Sequence, residues 1–173
     1  CALPIWALFW LFDKVVSIFR AVPFIILLAA IAPFTKLIVG TQIGTTAALV
    51  PLSLGVFPFY ARQVQVALAE VDGGIVEAAQ AVGASFWDIV FGVYLREGRS
   101  EIIRVSTVTL ISLIGLTAMA GAIGAGGLGN MAISYGYNRF ASDTTWVATI
   151  LVLIFVLIVQ LVGDFLAKKL SHK

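Results

Sequence analysis

Three stretches of the chain run for more than a turn-length of any soluble element without a charged residue: Leu37 to Ala61, Val105 to Asn138 and Thr144 to Gly163. Each reaches the roughly 20 residues that an α-helix needs to cross a hydrocarbon core of about 30 Å. A fourth apolar stretch, Val15 to Ala32, is interrupted by Arg20, whose long stem can run along a helix and carry its charge to the headgroups. Pro23 and Pro33 are expected to bend or end that helix. The pattern predicts spans at about 15–34, 42–61, 105–123 and 144–167, an all-α, polytopic helical bundle, with one long connection at 62–104.

The connection is patterned rather than random. Asp72-Gly73-Gly74 is a turn signal, Ile75, Ala79 and Val82 recur at helical spacing, and Gly83 fits a helix-ending position where positive φ is free of steric cost. Ser85 with Asp88 three residues later reads as an N-cap and capping box, and Phe86, Ile89, Val90 and Val93 then mark one face of a second helix. Two short helices folded about Gly83 follow from this, and a structured amphipathic loop between membrane helices points to docking with a soluble partner.

Composition agrees with a bilayer: of 173 residues, 61% are hydrophobic and 12% charged, with a mean hydropathy of +1.06, against about 25% charged residues in a soluble domain. The net charge of +2 excludes a large nucleic-acid surface. Its distribution is more telling. Of the eleven Lys and Arg residues, Lys14, Arg20, Arg62, Arg96, Arg99, Arg104, Lys168, Lys169 and Lys173 fall on one side of the predicted spans, and only Lys36 and Arg139 on the other. The first side is therefore cytoplasmic, and 62–104 is a cytoplasmic loop.

A single cysteine, Cys1, rules out an intrachain disulfide framework or thiolate cluster. As an N-terminal residue it could indicate lipidation, but a lipoprotein would continue into a polar domain. The chain opens without Met or a cleavable signal pattern; residues 1–14 read as the remnant of an N-terminally truncated protein, and 15–173 as the transmembrane domain.

Glu77-Ala78-Ala79, with Gly83 beyond three further residues and then Val93 and Leu95, resembles the cytoplasmic EAA loop of ABC import permeases. The family pattern closes on a proline where this chain has Arg96. Ile18 to Leu28, Pro33-Phe34-Thr35-Lys36, Val39-Gly40-Thr41, Gly121 to Gly129 and Tyr135-Gly136-Tyr137 are similar to the methionine-importer branch. The resemblance runs from about Val15 to the C-terminus. It implies a homodimeric permease of the MetI-like type I importer fold, two cytoplasmic ABC ATPase subunits and an extracytoplasmic substrate-binding lipoprotein delivering methionine. No cofactor is then bound by this chain, and ATP with magnesium acts on the partner. Glu77 becomes a polar anchor at the favourable end of a helix dipole, Ala78 and Ala79 permit close approach, and Gly83 permits the turn.

Other signals are weaker. Gly124, Gly126 and Gly129 satisfy G-x-G-x-x-G, yet no strand precedes them and no βαβ unit surrounds them, so a turn or re-entrant element near the outer mouth is expected in place of a nucleotide site. Ser106, Thr107, Thr109, Ser112, Gly115 and Thr117 favour close helix packing; Thr109, Ser112 and Met119, near one face, are the candidates for lining a translocation path. Pro51 and Pro58 are expected to kink their helix. Asp164, Arg62 and Arg20 lie near predicted helix ends, leaving no buried ionisable relay for an ion-coupled transporter or channel, the rival reading. With His172 as the only histidine, neither a His-based metal centre nor a Ser-His-Asp arrangement can be assembled, and the chain is expected not to be an enzyme.

Overall fold

The computed structural model describes residues 10, 13–14, 16–18 and 21–171; Cys1, Val15, Phe19, Arg20, His172 and Lys173 lie outside them. Every regular element among the described residues is helical. Two helices, Arg99–Ala125 and Ser142–Leu170, are long and apolar enough to cross a membrane.

The stretch expected as the first span is broken. Pro23 (φ −56°, ψ 132°) precedes α1, Phe24–Ala30, and Ile31 (φ −92°, ψ 3°) separates it from α2, Ala32–Val39. The break follows from Pro33: without an N–H it cannot bond back to Ala29, but in the first turn of α2 that missing donor is no loss. Gly40 (φ 81°) ends α2, and the turn to Gly44 (φ 107°) opens α3, Thr45–Ala69. Pro51 and Pro58 lie inside α3 and both are buried. α3 continues eight residues past Ala61, so part of the expected connection is an extension of this helix.

α4, Gly73–Ala81, is followed by α5, which opens as Phe86–Asp88, widens to i→i+5 turns over Ile89–Tyr94 and tightens again at Leu95–Glu97. α6, Arg99–Ala120, widens over Gly121–Ala125 and breaks at Ile123 (φ −108°, ψ 22°) and Gly124 (φ 103°). The chain then doubles back as α7, Gly127–Asn130, continued by Met131–Tyr137. α8, Ser142–Leu170, closes the bundle; at about 1.5 Å per residue it is about 43 Å long, more than a hydrocarbon core requires.

Small residues set the spacing. α8 lies along α6 and α7. A Cβ on Gly163 would fall onto the Thr107 side chain, and one on Gly136 onto Thr145. The reversal at Gly121–Gly127 is equally close, since a Cβ on Gly129 would meet the Ala118 backbone. Ala48, Leu52 and Ala120 form the core joining α3 to α6, with Phe24, Leu28 and Leu116 packed around them. Such contacts are the main source of helix association in lipid, where burial of apolar surface from water contributes little.

At the other end, α8 is tied to the start of α6. Ser100 Oγ donates to the Ala167 carbonyl at 3.0 Å and Arg99 Nε to the Leu170 carbonyl at 3.0 Å. The Arg99 bond satisfies a carbonyl at the helix C-terminus and adds a cation at the negative end of the dipole, while the Ala167 carbonyl accepts from Ser100 in addition to the Ser171 N–H at 2.9 Å.

Candidate coupling hairpin and translocation surface

The α4–α5 hairpin is built by local rules. Asp72 caps α4, its carboxylate accepting from the Gly74 amide at 2.8 Å. At the far end, Gly83 N–H donates to Gln80 O at 3.0 Å and Ala84 N–H to Ala79 O at 3.1 Å, the paired bonds of a Schellman ending. Gly83 takes φ 80°. The spacing from Ala79 to Gly83 thus has a direct cause: Ala79 supplies the carbonyl that the residue after the left-handed position bonds to.

Ser85 and Asp88 form the expected capping box. Ser85 N–H donates to the Asp88 carboxylate at 3.0 Å, and Asp88 N–H to Ser85 Oγ at 3.3 Å. The Ser85 hydroxyl and then the Ser85 amide hold the Asp88 carboxyl below its ordinary value, against a small opposing effect of desolvation.

Two expectations need correction. Glu77 is not at the N-terminal end of its helix: α4 begins at Gly73, so Glu77 is its fifth residue and its first turn holds no acid. The dipole falls off within one turn, so Glu77 owes nothing to it. Its side chain is exposed and forms no salt bridge among the described residues. Phe86, in turn, does not share a buried face with Val93. The widened turns over Ile89–Tyr94 break the 3.6-residue period, so Val93 is buried while Phe86, Trp87 and Phe91 stand out 63–69% exposed. Phe86 meets Trp87 edge-on at 5.3 Å, and Trp87 stacks on Phe91 at 5.8 Å.

The apolar stripe of α4 also faces outward: Val82 is 85% exposed, Ala78 is exposed and Ala79 half-buried. The hairpin therefore presents an aromatic and aliphatic ridge with Glu77 beside it. Its seat is Gly98, where a Cβ would approach Tyr94 O to 2.7 Å and Leu68 Cδ2 to 3.1 Å. Arg96, at the family's proline position, stays within a helical turn, and Leu95 is exposed.

The three candidate path residues do not line one cavity. Thr109, buried, lines an open cleft of about 630 Å³ between α3 and α6 together with Tyr60, Ser106 and Leu113. Ser112 lines a different one of about 400 Å³ with Pro23, Phe24, Gly55 and Phe59. Met119 is exposed and borders neither. At 100° per residue, positions 109 and 119 lie about 80° apart on α6, enough to separate them. The hydroxyls of Ser106, Thr107, Thr109 and Ser112 each donate to the carbonyl four residues back, at 2.7–2.9 Å, which leaves these oxygens as acceptors. Sequence reading missed Tyr60, whose hydroxyl lies 2.9 Å from Ser106 Oγ and joins α3 to α6; no periodicity announces such a pairing.

Comparison with known proteins places this architecture. Residues 2–172 match the family described as binding-protein-dependent transport system inner membrane component. The chain is 49% identical over 161 residues to the probable D-methionine transport system permease protein MetI of Haemophilus influenzae, covering 93% of this chain and 76% of that protein. It is 51% identical over 159 residues to the methionine import system permease protein MetP of Bacillus subtilis, covering 92% and 72%. A chain from the inward-facing MetNI methionine ABC transporter superposes with a TM-score of 0.89 at 43% identity, over 92% of this chain and 74% of that one. A transport component of this kind moves solute and does no covalent chemistry, and the ion-coupled reading falls. The chain belongs to the family of inner-membrane components of binding-protein-dependent transport systems, as an ABC importer permease.

Proposed function

We propose that this permease imports methionine, working as a homodimer with two cytoplasmic ATPase subunits and an extracytoplasmic substrate-binding lipoprotein. The substrate follows the names of the relatives, methionine import and D-methionine transport permeases, and the ATPase follows the MetNI complex. ATP and magnesium act on the partner ATPase. The face carrying Arg62, Arg96, Arg99, Arg104, Lys168 and Lys169 is cytoplasmic, and the hairpin within 62–104 docks there.

The observation that carries the coupling role is the outward ridge of the hairpin: Val82, Phe86, Trp87 and Phe91 stand exposed on a helix pair whose caps and turn are fully bonded. In this reading Glu77 pairs with a basic residue of the ATPase, Ala78 and Ala79 allow close approach, and Gly83 holds the turn. Val93 roots α5 and Leu95 lies at its exit. Closure of the ATPase dimer on ATP then moves the hairpin as a rigid body, and the tight seat at Gly98 passes the movement to α3 and α6. Thr109 and Ser112, in separate clefts, and Met119 are proposed to border the path as α6 moves.

Uptake in proteoliposomes tests the substrate. The full-length permease, its ATPase and its binding protein should accumulate labelled methionine with ATP inside, and excess unlabelled methionine should abolish the signal. Uptake that persists under that competition, or that proceeds without ATP, overturns the proposal.

A further inference from the structure

Thr35 is 3% exposed, and its hydroxyl has no hydrogen-bond partner among the described residues. A serine or threonine in a helix ordinarily donates to a carbonyl one turn back, as Ser106, Thr107 and Thr109 do here. A buried hydroxyl left without any partner costs the full desolvation of the group.

Thr35 lines a cavity of about 20 Å³ shared with Gln42, Gly44, Ala47, Pro51 and Gly124. That is enough for one water molecule, which requires roughly 10–15 Å³ on this measure, and too small for an organic ligand. The lining also holds a main-chain acceptor freed for a definite reason. Pro51 has no N–H, so the Ala47 carbonyl four residues before it loses its helical donor, and Pro51 is almost wholly buried. Ile123 and Gly124, which leave helical dihedrals, bring main-chain groups to the same space.

We propose that this cavity is a binding site for one ordered water, accepting from or donating to the Thr35 hydroxyl and donating to the Ala47 carbonyl. Two partners satisfy the minimum for a buried water, and Gln42 and Gly124 also line the cavity. The site lies where the Gly40–Gly44 turn meets the Gly121–Gly127 reversal. The water joins α2 to α3, which share no backbone hydrogen bond among the described residues.

The test is Thr35→Val, which keeps the shape and removes the hydroxyl, with Thr35→Ser as the variant that keeps it. In the full-length permease purified with its ATPase, the water model predicts that Val lowers the thermal midpoint by about 2–4 °C and that Ser lies closer to wild type than Val does. A Val variant equal to or more stable than wild type overturns the proposal, because deleting a merely unsatisfied buried hydroxyl is neutral or stabilising. Should Val fail to assemble, a high-resolution map of the wild-type complex decides. A solvent peak within hydrogen-bonding distance of both Thr35 Oγ1 and the Ala47 carbonyl oxygen supports the site; a cavity without one refutes it.

Discussion

Replacing Gly83 separates conformational strain from crowding. Its φ is 80°, and a Cβ built there meets nothing within 4 Å. The only cost of a side chain is therefore the left-handed backbone, about 1–2 kcal/mol for an ordinary L-residue and less for Asn. Gly83→Ala should accordingly weaken the Schellman ending by that amount, and Gly83→Asn by a fraction of it. Gly83→Pro is a different perturbation, since its ring fixes φ near −65° and removes the N–H that bonds Gln80 O. Hydrogen exchange on the full-length permease reads this directly. If the hairpin opens locally, about 1–2 kcal/mol corresponds to a loss of protection at Gly83 and Ala84 of roughly 5- to 30-fold for Ala. Asn should fall between Ala and wild type, and Pro should abolish protection at Ala84. An Ala variant as protected as wild type would refute the reasoning, for it would mean that the turn does not need the left-handed conformation.

Gly163→Ala should destabilise by about 1–3 kcal/mol, because its Cβ enters the space of Thr107, whose hydroxyl is held by Ile103 O; the midpoint of thermal unfolding in detergent should fall by several degrees, while Gly115→Ala, with open space around it, should not lower it. Ser100→Ala should lose about 1–2 kcal/mol by deleting a buried hydrogen bond to Ala167 O, seen in the same melt. The capping box should be sensitive to acid. A carboxyl held below its ordinary value in the fold stabilises above the unfolded pKa and loses that stabilisation as pH falls through the lowered folded value, so exchange at the start of α5 should rise as pH falls below the ordinary carboxylate range and reach its limit only once the folded Asp88 carboxyl is itself protonated. Asp88→Asn should show fast exchange there at neutral pH and no such acid step.

Local chemistry was legible in the sequence, and long-range packing was not. Gly83, the Ser85–Asp88 box and the reversal at Gly121 to Gly129 each depend on neighbours within a few residues, and the structure has all three. The widened turns of α5 escaped because an i→i+5 segment carries no compositional mark and hides behind an apparently regular period; Phe86 was placed on the wrong face for that reason. Glu77 was misplaced because α4 starts at the glycines, two residues before its first large apolar side chain. The Gly163–Thr107 contact joins residues far apart in the chain, and the Gly136–Thr145 contact depends on how the short connection before α8 turns. Composition marks such glycines as packing residues without naming their partners. The separation of Thr109, Ser112 and Met119 likewise depends on where α1 and α3 lie around α6.

Coupling is tested most directly by co-purifying the full-length permease with its ATPase and measuring ATP hydrolysis stimulated by the binding protein, for wild type, Glu77→Lys and Gly83→Pro. The account predicts a stimulated complex for wild type and loss of assembly or stimulation for both variants, the first through charge reversal on an exposed anchor and the second through loss of the turn. Full stimulation in both variants would contradict it, because the exposed hairpin would then not be the element that transmits ATP-driven movement to the membrane helices.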